Sequence, residues 1–152
     1  MADPSGSDDV YELKRIEFGG RPVAILLQNR NGPCPLLAIA NVLLLRGDLD
    51  IHHDQAHISF GYLVSMLGEY LIERDQLRTA GSAAAGDTPE SPGAESLRLN
   101  RQQTISDTLS LLPALGRGLD VNVRFGATDG FEYTRELGCF DAFSVGLRHG
   151  QP

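Results

Sequence analysis

An α+β fold with a small antiparallel sheet around a buried helix is predicted by three features of this sequence. Two strand-forming runs flank a Gly-Gly pair, an apolar segment is framed by a proline and a glycine, and later segments carry apolar residues at helical spacing. At 152 residues the chain is long enough for one domain with its own core.

The elements follow in order. Residues 1–9 are rich in Asp, Ser and Gly and read as a disordered leader, so the domain is expected over 10–150. Tyr11 to Phe18 and Arg21 to Gln28 read as strands, and Gly19-Gly20 supplies the positive φ that a tight hairpin turn requires. A turn cluster, Asn29-Arg30-Asn31-Gly32-Pro33, leads into Cys34. Pro35 suits the first helical position, where its missing N–H costs nothing, and Arg46-Gly47 suits the last turn and stop. The residues between are apolar on every face, which predicts a buried central helix.

Ser59 to Ile72 places Leu63, Met66, Leu67, Tyr70 and Leu71 at helical spacing and predicts an amphipathic helix. Residues 79–96 are low in complexity and read as a disordered insertion. Asn100 with Gln103 resembles a capping box before a third helix that Pro113 is expected to end. Gly118 to Phe125 alternates as a strand, with a short partner at Phe131 to Thr134, and Glu136 to Phe143 predicts a last short helix.

Composition excludes several classes of function. A net charge of −7 argues against nucleic-acid binding, which needs clustered Lys and Arg. The longest apolar run, Leu36 to Leu45, is roughly half the ~20 residues of a membrane span, and no signal-peptide core opens the chain. Two cysteines are too few for a disulfide scaffold, so the expectation is a cytoplasmic protein with reduced thiols.

The sharpest chemical feature is Cys34, a thiol at the mouth of the apolar helix. Unpaired N–H groups at a helix N-terminus favour negative charge, and the thiolate is the nucleophilic form of cysteine. Gln28, at the end of the second predicted strand, can present an amide N–H to a developing oxyanion. On the residues alone two readings of Cys34 stand: an inert core thiol, the commoner fate of a lone cysteine, or a nucleophile. Cys139, between Gly138 and Phe140, reads as core.

The segment Gln28-Asn29-Arg30-Asn31-Gly32-Pro33-Cys34-Pro35-Leu36-Leu37-Ala38-Ile39 resembles the active-site segment of the MINDY family of deubiquitinases. A second segment, Gly118 to Phe125 through Phe131-Glu132-Tyr133-Thr134, resembles the same family in the same order. The resemblance implies a papain-like cysteine-protease variant that hydrolyses isopeptide bonds in lysine-forty-eight-linked polyubiquitin, with Cys34 as nucleophile and Gln28 as oxyanion donor. It further implies that Asp120 and Val121 contact ubiquitin, which would be the partner. From sequence alone, an ordinary inward strand residue is the simpler reading of Val121.

In the resembling family the catalytic histidine lies beyond the point matching Gly150, and a tryptophan follows the His-Gly pair where this chain has Gln151. The expectation is therefore a truncated papain-like domain, with its alternative a catalytically inactive ubiquitin-binding relative or a truncated product. His52, His53 and His57 follow a helix whose length sets them roughly 18 Å from the thiol, and His149 lies near the end of the sequence; all four read as surface residues. No cofactor is expected, and no metal site, because His53 and His57 lack an evident third ligand. Truncation predicts that the Leu36 to Leu45 helix is incompletely covered and leaves an exposed apolar patch.

Overall fold

The computed structural model describes residues 9–29, 34–84, 92–119 and 121–150, with the side chains of 82–84 and 92 outside that description. Gly19 and Gly20 have φ of 59° and 77° and reverse the chain between β1 (Val10–Phe18) and β2 (Arg21–Leu26). Both positive φ values belong to the mirror-image turn whose twist matches paired strands. The antiparallel register runs from Phe18↔Arg21 to Leu13↔Leu26. A third strand, β3 (His57–Ser59), adds to the other edge of β1 through Tyr11↔Ile58, giving the order β2-β1-β3.

Helix α1 (Pro35–Arg46) begins and ends where its punctuation predicts. Gly47 takes φ 84°, its N–H bonds the Leu44 carbonyl, and Asp48 N–H bonds that of Leu43, so the last carbonyls are satisfied. Arg21 on β2 adds its guanidinium to the Leu44 and Leu45 carbonyls, tying the hairpin to the same helix end.

Helix α2 (Phe60–Ala84) and helix α3 (Pro92–Leu115) pack antiparallel: Phe60 meets Gly116 and Gly68 meets Leu109 at one end, and Asp75 meets Arg101 further along. A short α4 (Arg135–Ala142) is capped by the Thr134 hydroxyl, which accepts from Leu137 N–H at 3.3 Å. Among the described residues the fold is α+β, with four helices and one small antiparallel sheet.

Several expectations are corrected. Helix covers 79–84 and 92–96 of the stretch expected as disordered; residues 85–91 lie outside the described residues. Alanine-rich sequence propagates α2, and Pro92 opens α3 at a position that needs no N–H. The capping-box reading fails because Gln103 bonds Asp107 one turn ahead, at 2.8 Å, inside α3. Pro113 does not end that helix, which continues to Leu115. The strand expected over Gly118 to Phe125 reduces to a single bridge, Val123↔Phe131. Its alternation finds no sheet to cover it, and Phe125 stays 79% exposed.

The core refutes the expected bare helix. Leu36, Leu37, Ile39, Ala40, Leu43 and Leu44 of α1 are all buried. They pack in one cluster with Val23 and Leu26 of β2, Leu63 and Leu67 of α2, Leu112 and Leu115 of α3, and Phe140 and Phe143. Only Ala38 and Arg46 of α1 are exposed, so α2, α3 and α4 supply the cover that the sequence left unassigned.

Candidate active site

Cys34 occupies the N-cap position of α1, extended at φ −116° and ψ 104°, with Pro35 opening the helix behind it. Its carbonyl accepts the Ala38 N–H, while its side chain makes no cap hydrogen bond. The sulfur is thus free of the backbone it introduces. It is half-buried, and the Leu115 carbonyl at the end of α3 lies 4.0 Å from it.

A cavity of about 460 Å³ opens beside the thiol, and its walls include Leu26, Gln28, Leu37, Leu119, Phe140 and Leu147 as well as Cys34. The structure therefore brings Cys34 and Gln28 to one cleft. Gln28 is exposed and lies two residues past the end of β2, not within it as the sequence predicts. Asn41 on α1 meets the end of the strand. Its carboxamide accepts from Leu26 N–H at 2.7 Å and donates to Leu26 C=O at 3.0 Å, capping the backbone groups on the edge of β2 that faces away from β1. Leu27 N–H still reaches the Glu12 carbonyl at 2.9 Å, so the chain leaves the sheet immediately before Gln28.

Tyr11, only 2% exposed in the middle of the sheet, is the residue that sequence reasoning missed at the thiol. Its phenol is pushed up to about 12, chiefly by burial, then by the neighbouring charges of Cys34 and Asp9 and by hydrogen bonding with Cys34. A protonated phenol therefore stands beside the sulfur at neutral pH. In the sequence Tyr11 is only an aromatic residue in a strand-forming run, with nothing that links it to Cys34.

Val121 is half-buried and lies just before the Val123↔Phe131 bridge, and Asp120 lies outside the described residues. None of the four histidines lines the cleft. His149 is held elsewhere: its N–H bonds the Thr128 carbonyl at 2.8 Å, and its ring meets Phe131 and Phe125 edge-on at 5.2 and 6.5 Å. Residues 52–54 bring His52, His53 and Asp54 side-chain ligand atoms within 4.8 Å of one another, exposed and beyond the far end of α1. His57 sits instead in β3. Cys139 is buried in α4, its thiol pushed up to about 11 by burial and by Glu136, which suits a core residue.

A half-buried thiol at the N-cap of a buried helix thus shares one open cleft with Gln28. The comparisons give that geometry a family. Residues 9–151 match the family model of the MINDY deubiquitinase. The chain is 37% identical over 143 residues to the ubiquitin carboxyl-terminal hydrolase MINDY-1 of Homo sapiens, covering 93% of this chain and 27% of that protein. It is 38% identical over 141 residues to ubiquitin carboxyl-terminal hydrolase MINDY-2 of Homo sapiens, covering 93% and 20%. MINDY-1 of Danio rerio is 36% identical over 140 residues. The chain belongs to the MINDY deubiquitinase family and spans about a quarter of the length of the MINDY-1 proteins it matches.

Proposed function

We propose that this chain carries the nucleophile of a cysteine-type deubiquitinase that hydrolyses isopeptide bonds in lysine-forty-eight-linked polyubiquitin. The observation that carries this reading is the convergence of Cys34 and Gln28 on one cleft in a chain of this family. In the proposed reaction the Cys34 thiolate attacks the isopeptide carbonyl, and the Gln28 amide donates to the oxyanion that forms. The lysine amine leaves with a proton, and water then hydrolyses the thioester and frees the thiol. Asp120 and Val121 contact the bound ubiquitin. The domain is a variant of the papain-like arrangement, in which a nucleophile helix packs on a sheet, and it acts in the cytoplasm, where both free cysteines stay reduced.

The general base is supplied from outside the described residues, since none of the four histidines lines the cleft. That same observation favours a second reading, a ubiquitin-binding relative that cleaves nothing. A ubiquitin probe with a C-terminal thiol-reactive warhead separates the two. Labelling of the folded chain that disappears in Cys34→Ala is the expected result and establishes a competent thiol beside a usable ubiquitin site. An unlabelled but folded chain, or equal labelling of Cys34→Ala, would sink the nucleophile assignment and leave the non-catalytic reading.

A further inference from the structure

Where α2 and α3 run beyond the core, cavities of about 420 and 140 Å³ share Asp75 and Arg101 and join into one groove. Arg74 and Arg78 face it from α2, Arg98 and Arg101 from α3. Four of the thirteen basic residues of a chain with net charge −7 thus line a single groove. None of them lines the cleft at Cys34.

The cations are mostly uncompensated. Arg78 and Arg98 are exposed and have no hydrogen bond or ion pair among the described residues. Arg74 is engaged by neutral groups only, donating to the Ser144 hydroxyl at 2.7 Å and lying 6.0 Å from the centre of the Tyr70 ring. The one carboxylate among the described lining residues, Asp75, has its Oδ1 3.6 Å from Arg101 Nε, too long for a hydrogen bond, and that buried oxygen has no hydrogen-bond donor among them. Among the described lining residues four guanidinium groups therefore face one carboxylate.

Guanidinium forks match carboxylates and phosphates in a planar, two-point geometry. The arrangement decides between a single anion and a string of them. The α2 side of the groove runs from Leu71 to Ala80, ~14 Å at the helical rise. That length accommodates about four residues of an extended peptide. The cations are spread along it, not converged on a point. We propose that this groove binds an extended acidic peptide, a run of Asp and Glu side chains on a partner protein, independently of the thiol site.

Fluorescence anisotropy of a labelled hexaglutamate peptide with the full chain tests it. Saturable binding is expected, weakened roughly ten-fold or more (about 1.4 kcal/mol) in Arg78→Glu/Arg98→Glu, since each reversal replaces an attraction by a repulsion. Arg124→Glu, an exposed charge outside the groove, should bind as the parent does. Should the reversal pair lose its circular-dichroism signature, Arg78→Gln/Arg98→Gln replaces it with the same expected direction. Equal affinity of parent and variant, or no saturable binding by the parent, overturns the proposal. Displacement of the peptide by an equal concentration of inorganic phosphate also overturns it, in favour of a single-anion site.

Discussion

At the scale of single residues, the Tyr11 phenol and the Cys34 sulfur are neighbours that act on each other. Four causes raise the phenol to about 12, and Cys34 supplies two of them, through its charge and through hydrogen bonding. Cys34→Ala withdraws both while leaving burial and Asp9 in place. The Tyr11 titration should therefore fall from about 12 towards the ordinary 10.0, read as tyrosinate absorbance in a pH titration of parent and variant. An unmoved titration would mean that the phenol and the sulfur do not interact. Sequence could not disclose this pairing. Cys34 is legible because proline, glycine and helix lie next to it in the chain, whereas Tyr11 is remote from it in the sequence and becomes its neighbour only in the fold. Gln28 is legible as a candidate but is misplaced within a strand, because the run from Val23 carries no turn residue before Asn29 while β2 ends at Leu26.

Asn41 defines the element scale, where it joins α1 to the end of β2. It is the one polar side chain in the apolar stretch of α1 from Leu36 to Leu45, and it satisfies both backbone groups of Leu26. Asn41→Ala leaves a buried N–H and C=O unpaired and should lower stability by about 1–3 kcal/mol, measured from urea unfolding midpoints. Hydrogen exchange at Leu26 and Leu27 should quicken more than at Val23 if the loss is local; a uniform change along β2 would count against a specific clamp. Punctuation explains which elements were legible. The hairpin and α1 carry their own starts and stops in Gly19-Gly20, Pro35 and Gly47. The short β3 exists only through pairing with β1, and α2 and α3 extend past their apolar spacing on helix propensity and on mutual packing. Alternation alone misled at Gly118 to Phe125, where no sheet receives the apolar face.

At the scale of the whole molecule, two acids titrate from within one core cluster, because Tyr11 and Cys139 both belong to it. Burial is the first cause in each case, raising Cys139 from 9.0 to about 11 and Tyr11 from 10.0 to about 12. A raised value means that the folded chain holds the proton more tightly than the unfolded chain does. The resulting stabilisation is complete below the unfolded values and is lost as pH rises through the folded ones. Stability should thus be unaffected by these groups up to pH 9.0, decline as Cys139 ionises towards about 11, and decline further as Tyr11 ionises towards about 12. Urea midpoints measured across that range check the order of events. Cys139→Ala should remove the decline that begins at 9.0 and leave the one that begins at 10.0. A variant that still loses stability from the lower pH would assign the transition to another group, and Cys139 would then have no part in the alkaline limit of the fold.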